Sequence, residues 1–465
     1  MKIRRIFTTI LILKMASKTE VETYLKELKV KMDIFGILFI DDRGKNQQTL
    51  HDLEISPAKR KEVISSLKAE DYSQGPLDEK MRGILPMWVF GKQVKKNEVY
   101  IKVSMGVENS AAILYFFSYC RTSYELSLKK NKHMKSPFTG KEMSIVKEWR
   151  TMSFRKDEFK VLFHSYKCED TGDQFEDDAF SQLNYNQLVN QYRVKYSIPF
   201  AEQIIVIREK YNLSAVKMSE ILGFGTNGYR QYEGGEVPNQ SNAKLIQLAE
   251  DPHEFKKLVD YCTTLDHKLI EKTYRIIDHL LEEQKKNKFE KQLENYFFGS
   301  CLPNALTGFK TPDFKKFSEM VVFFTEKLEP WKTKLNKLLF YTDFTMHKQT
   351  GFSMSGVQYK AIPMGPVPNN FNSIFEYLAN KDELNIYYTN FSDGGTGEQF
   401  KPNPKKTFNK EIFTETELQI LDSIKERFKN TSTKEIVEIS HKEKAWIENN
   451  AEKKLIDYNY SFDLN

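Results

Sequence analysis

The chain has 465 residues, 29% of them charged and 13% aromatic, with 34 Phe and a formal net charge of +6. Its length suits about three domains, its aromatic content and mean hydropathy of -0.57 exclude a disordered chain, and no apolar run is long enough to span a bilayer. The mild positive charge permits a nucleic-acid face without demanding one. Cys120, Cys168, Cys262 and Cys301 are too scattered for a disulfide framework, which suits a reducing cytoplasm.

The first residues, Met1-Lys2-Ile3-Arg4-Arg5 and an apolar run to Leu13, imitate a signal peptide. Lys14 interrupts the run and no small-residue cleavage pattern follows, so Met15 reads as the start. Val21–Lys29 is an amphipathic helix and Ile34–Ile40 a buried strand. Ser56 and Pro57 are a natural cap and first helical position for a helix reaching Leu67. Met87–Gly91 and Glu98–Ser104 read as strands joined by the turn Lys95-Lys96-Asn97. Helices before a small antiparallel sheet make residues 15–113 an α+β unit. Residues 134–197 are polar and irregular, 198–250 helical, and 251–312 a charged helical connector whose run Glu282–Lys288 is a solvated face. There is no internal repeat.

Within 198–250, one helix ends near Tyr211, Ser214 caps the next, and Ile221 and Leu222 face inward. The turn Gly223-Phe224-Gly225 leads into a third helix. This order is helix-turn-helix anatomy. Asn227, Arg230 and Gln231 lie on one side of the third helix and are the DNA-binding candidates, since Asn and Gln can pair adenine edges and Arg guanine. Tyr229 and Tyr232 pack inward. The alternative is a small helical bundle with an exposed polar helix.

The last region opens as a helix whose Leu335, Leu338, Leu339, Thr342 and Met346 form one buried stripe, stopped by a glycine near Lys348–Gly351. Val357 and Tyr359 alternate as in a short strand. The segment Ile362–Pro368 has three prolines and reads as a rigid loop, neither helix nor central strand. The runs Leu335–Phe344, Gly351–Gly356 and Tyr359–Pro368, continued by Ile439–Trp446, resemble the Panacea domain of SocA-like antitoxins. The resemblance implies that residues 313–465 are a mostly helical module that binds a protein toxin without catalysis. Candidate toxin-binding residues are Tyr341, Asp343, Phe344, Tyr359, Gly365, Pro366, His441 and Trp446. The alternative is that Tyr341, Phe344 and Trp446 are simply core.

The pattern Leu222-Gly223-x-Gly225-x-Asn227-x-Tyr229, ending in Tyr232-Glu233, resembles the C-terminal domain of MqsA-type antitoxins, with Gln231 where that family favours Arg. Those antitoxins carry a zinc site of two Cys-x-x-Cys pairs. The matching positions here are Ser136, Thr139, Cys168 and Thr171. Hydroxyls are poor zinc ligands, so no metal and no other cofactor is expected. Phe138, Phe163, Tyr166 and Phe175 would form a small core in its place.

Met32–Phe39, Arg43–Asn46, Leu53–Ile55, Asp71–Pro76 and Val99–Ser104 resemble MqsR-like toxins of the RelE type. Those are metal-independent endoribonucleases, and Arg43, Lys45, Lys92, Tyr100 and Lys102 are the residues that could serve one here; equally, they read as surface charges beside a sheet. The seam 114–133 is unusual. Synonymous codons for Leu114–Glu125, read one base on, spell Cys-Ile-Ser-Phe-His-Ile-Ala-Glu-Arg-Pro-Met, which is how such toxins end, and Met134 then heads an antitoxin-like start. The expectation is a frameshift that joined a truncated toxin gene to the antitoxin gene behind it.

These readings combine into a multidomain α+β protein. They point to a cytoplasmic type II antitoxin with a protein toxin and operator DNA as partners, a possible homodimer, no membrane association and no enzymatic activity. Two rival readings are a fused toxin–antitoxin keeping residual ribonuclease activity, and a proteolytic adaptor that hands a toxin to a protease.

Overall fold

The computed structural model describes residues 16–40, 56–77, 86–94, 97–106, 112–116, 134–286, 288–299, 302–391 and 395–465. They fall into two compact units, the first holding the described residues up to 116 and 134–185, the second those from 186 on.

The first unit begins with α1 (Lys18–Phe35). Its start is a reciprocal cap: the Glu20 N–H donates to Ser17 Oγ at 3.3 Å and the Ser17 N–H to Glu20 Oε2 at 2.7 Å. Val21, Tyr24, Leu25, Leu28 and Met32 form its buried stripe. The helix runs through Ile34 and Phe35, which are 53% and 37% exposed, until Gly36 at φ 80° stops it. The buried strand predicted from Ile34 therefore begins at Ile37, as β1 (Ile37–Ile40). Next come α2 (Pro57–Ser65), β2 (Tyr72–Leu77), β3 (Met87–Val94), β4 (Asn97–Ser104) and β5 (Ala112–Phe116). Ser56 occupies the cap position of α2 but makes no side-chain capping bond. β1 and β5 are parallel, so this sheet is mixed rather than antiparallel as predicted.

Residues 134–185 are not irregular. They form a long hairpin, β6 (Ser144–Phe154) and β7 (Asp157–Lys167), then β8 (Gln174–Glu176) and the start of α3 (Asp178–Lys195). The polar residues hid the pattern because β6 is exposed or half-buried on most of its length while β7 is buried through its centre. β8 pairs antiparallel with β1, giving one sheet in the order β2-β3-β4-β5-β1-β8-β7-β6. The sheet thus crosses the boundary drawn in sequence at 134. Arg60 lies buried over the Phe39 ring at 3.2 Å and donates to Ser181 Oγ at 2.7 Å. The seam residues 117–133 lie outside the described residues, as do residues 1–15, Arg43 and Lys45.

The second unit is mainly helical: α4 (Ala201–Lys210), α5 (Ala215–Ile221), α6 (Gly228–Glu233), α7 (Gln240–Leu248), α8 (Pro252–Tyr261), α9 (His267–Lys286), α10 (Lys288–Phe298), α11 (Phe314–Leu328) and α12 (Lys332–Thr350). After β9 (Tyr359–Ile362) and β10 (Gly365–Pro368) come α13 (Phe371–Asn380), the hairpin β11 (Leu384–Asn390) and β12 (Thr396–Pro402), then α14 (Glu415–Phe428), α15 (Thr433–Ser440), α16 (Lys444–Ile447) and β13 (Leu455–Ile456). α12 ends at Gly351 in the left-handed conformation. It is buried around its whole circumference from Lys334 to Phe344, not along one stripe. α14, α15 and β10 pack around it. The proline segment is not a plain loop: β10 is an outer strand of a three-stranded sheet and, among the described residues, pairs only with β9. An edge tolerates Pro366 and Pro368 because it asks no outward N–H of them. No helix among the described residues is long and apolar enough to cross a membrane.

Candidate functional site

In the C-terminal domain the candidate residues divide by depth. Tyr341, Asp343, Phe344 and Tyr359 are fully buried. The Asp343 carboxylate accepts four hydrogen bonds: from the Met354 and Ser355 N–H groups, both 2.8 Å, from the Ser355 hydroxyl at 2.6 Å and from the Tyr359 hydroxyl at 2.8 Å. Burial nonetheless pushes this carboxyl above its ordinary range. Asp343 therefore ties the turn after α12 to the helix and to β9. It is a structural hub, and a fully buried carboxylate cannot face a toxin directly. Tyr341 donates to Glu443 Oε1 at 3.1 Å, and the same carboxylate receives the Asn465 N–H at 3.2 Å, so α12 is also bound to the chain's last residue. These four residues belong to the core reading, not to a toxin-facing surface.

Gly365 and Pro366 lie one layer further out. Gly365 has φ +97°, and a Cβ there would stand 2.5 Å from both Lys337 Cε and Ser440 Oγ. Lys337 is completely buried and its ammonium donates to the Pro366 carbonyl at 2.9 Å. Burial lowers its pKa to about 7. The sequence reading missed this residue. Its signal was a lysine set among Leu335, Leu338 and Leu339. His441 and Trp446 are half-buried and stacked, with ring centroids 3.8 Å apart. Trp446 Nε1 donates to the Ile362 carbonyl at 2.7 Å, and His441 hydrogen-bonds the Pro363 backbone. Burial and the nearby Lys337 lower the His441 pKa. The two rings thus clamp the turn between β9 and β10, whose tip, Met364, is 52% exposed; Ile447, next to Trp446, is 56% exposed. Of the eight candidates, only His441 and Trp446 keep access to solvent.

Residues 335–447 match the family model described as Antitoxin SocA-like, Panacea domain. This region of the chain is thus a Panacea domain, a domain of the antitoxin class. Comparison of the whole chain with curated proteins and with solved structures gave no match.

The helices of 198–250 build a second candidate surface. Ser214 Oγ caps α5 by accepting from the Lys217 N–H at 3.2 Å. Ile221 and Leu222 are buried, and so is Tyr229, whose hydroxyl donates to the Ile204 carbonyl at 2.7 Å. Tyr232 packs edge-on against Phe224. α6 has only six residues. Asn227, at its cap position, and Arg230 are exposed, while Gln231 is half-buried. Arg208 bridges to Glu233 at 2.5 Å and donates to the Leu213 carbonyl at 2.9 Å, fixing α6 against α4. This bundle is joined to the Panacea domain through Gln203–Thr311 at 3.2 Å and Lys310–Glu202 at 3.3 Å.

In the first unit, Ser136, Thr139, Cys168 and Thr171 converge. Two matching turns carry them: Gly140 N–H to Ser136 O and Gly172 N–H to Cys168 O, each 2.8 Å. Thr139 Oγ1 stands 3.9 Å from Cys168 Sγ. Burial pushes the Cys168 thiol up, but hydrogen bonds from Ser136, Thr171 and the Thr171 and Asp170 N–H groups outweigh it, so the net direction is down. Phe138, Phe175 and Tyr166 pack here with Leu38 and Ile40. Phe163 does not join them; it lies under the Arg150 guanidinium at 3.7 Å. Among the candidates for ribonuclease chemistry, Lys92 is paired with Asp71 at 2.9 Å and donates to the Ser66 carbonyl at 2.7 Å. Lys102 is half-buried on β4; the Tyr100 side chain lies outside the described residues.

Proposed function

We propose that this protein is the antitoxin of a type II toxin–antitoxin pair. It neutralises a protein toxin through the Panacea domain and represses its own promoter through the 201–248 helices, with Asn227 and Arg230 reading base edges. The observation that carries this reading is the family match over residues 335–447. The exposed rim of the His441–Trp446 clamp, with Met364 and Ile447, offers the apolar anchors that dominate protein recognition. On this reading the chain acts in the cytoplasm and is not an enzyme; the pairing of Lys92 with Asp71 fits a structural use of that lysine.

The test is a selection for genomic fragments that cells tolerate only while this chain is co-expressed. Tolerance should require an intact clamp, and be lost with Trp446→Ala in a chain whose circular dichroism is unchanged. If every recovered fragment is equally tolerated with residues 313–465 deleted, the antitoxin assignment fails. Gel shift with DNA upstream of the gene tests the repressor half separately.

A further inference from the structure

The hairpin of β11 and β12 is a two-stranded sheet of its own, and among the described residues no strand pairs with the outer edge of β11. The seven residues of β11, Leu384–Asn390, include no charge and no proline, and their register against β12 is unbroken. Exposed edges are ordinarily blunted by lysine, proline or a bulge. The Phe400 N–H points away from β11 and donates to the Pro330 carbonyl at 3.0 Å, so Ile386 and Phe400 are not a hydrogen-bonded pair. Bonded and non-bonded pairs alternate along an antiparallel ladder, so Ile386, Tyr388 and Asn390 turn their N–H and C=O groups outward. Among the described residues those groups meet no partner. Tyr387 and Tyr388, on opposite faces, are 53% and 67% exposed. The ribbon is anchored behind them: Leu384 and Phe400 are buried, and Phe391 packs on Trp331 with ring centroids 5.5 Å apart.

We propose that β11 takes up an extended, uncharged segment of the protein toxin as an added strand. This rests on the antitoxin reading above, and β11 lies inside the matched region 335–447. Backbone groups left open along an edge are satisfied by another strand. Charge complementarity says which kind. Glu398 and Lys401 are the only charged residues of the two strands, and each is already paired, with Lys332 at 2.7 Å and with Glu329 at 3.9 Å. The edge therefore fits a neutral strand. Tyr387 and Tyr388 favour β-branched or aromatic side chains on both of its faces. A second copy of this chain suits the edge less well. Seven residues of strand are about 23 Å long and a sheet is about 10 Å thick, so edge-to-edge pairing covers about 230 Å² of each copy. A stable interface needs about 800 Å² per partner. A toxin that also meets the His441–Trp446 rim adds the edge to a second surface.

The probe is the purified product of a genomic fragment recovered by the selection above, added to the full chain. Hydrogen exchange at the Ile386, Tyr388 and Asn390 amides should slow by about tenfold or more, while the Tyr387 and Thr389 amides, already in the ladder with β12, change less. Tyr388→Pro removes an outward N–H without breaking a bond to β12, and should weaken binding by about tenfold. The alternating exchange pattern decides the matter even if Tyr388→Pro fails to fold. If no fragment depends on this chain, the antitoxin reading and this inference fall together. If the product binds but the three amides exchange as before, or folded Tyr388→Pro binds as tightly, this inference falls alone. Protection of the same amides without the product, in a chain that sediments as a dimer, would give the edge to a second copy and overturn it as well.

Discussion

α12 and α6 carry the two most informative sequence patterns in the chain, and the structure uses them in opposite ways. α12 is enclosed on every side, and its polar residues Lys337, Asp343 and His347 are buried with it. α6 buries Tyr229 and leaves Asn227 and Arg230 in solvent. Dense motif residues can therefore mean a core that must be built one way, or a surface that must present particular groups. Burial separates the two cases. Substitutions in α12 and around it should act on stability, and those on α6 on binding alone.

The largest effect is expected at Asp343. Asp343→Ala leaves two N–H groups and the Tyr359 hydroxyl buried without their acceptor. Loss of about 3–5 kcal/mol should follow, read by denaturant unfolding of residues 313–465 within the full chain. A loss under about 1 kcal/mol would make the site polar surface and collapse the comparison.

Gly365→Ala comes next. The new methyl would strike Lys337 and Ser440 at a backbone conformation that L residues avoid. About 2–4 kcal/mol should be lost, with the same readout.

Lys337 gives a pH test. Its folded pKa of about 7 lies below the ordinary value of 10.5. Between those pH values the unfolded chain holds a proton that the folded chain does not, so stability rises with pH across that window and is lost as pH falls through 7. The slope is at most about 1.4 kcal/mol per pH unit. Lys337→Met should flatten the profile between pH 7 and 10. A slope that survives the substitution would assign it to other groups.

The smallest stability effects belong to α6. Asn227→Ala and Arg230→Ala should each change stability by no more than about 0.5 kcal/mol. Each should weaken binding to upstream promoter DNA by about 1–3 kcal/mol if it contacts a base edge. Undiminished binding by the double variant would remove α6 as the reading element. Unfolding of either variant would erase the contrast with α12.

Local chemistry was legible in the sequence. The stop of α12 at Gly351, the Ser214 cap and the inward turn of Tyr229 depend on neighbours within a few residues, which is the range over which helix hydrogen bonds and caps act. Depth was not legible. Tyr341, Asp343, Phe344 and Tyr359 have the composition of either a core or an interface, and α14, α15 and the carboxyl-terminal residues bury them from far along the chain. The same holds for β10, which becomes a strand because β9 lies beside it, and for β8, which reaches β1 from more than a hundred residues away. The polar hairpin β6–β7 escaped notice because its inner strand is buried by α3 and its outer strand is not. What the sequence by itself determined was local: caps and stops such as Ser214 and Gly351. Which faces are covered, and so which residues remain to meet a partner, was decided by the tertiary structure, because burial is a property of contacts between segments distant in the chain.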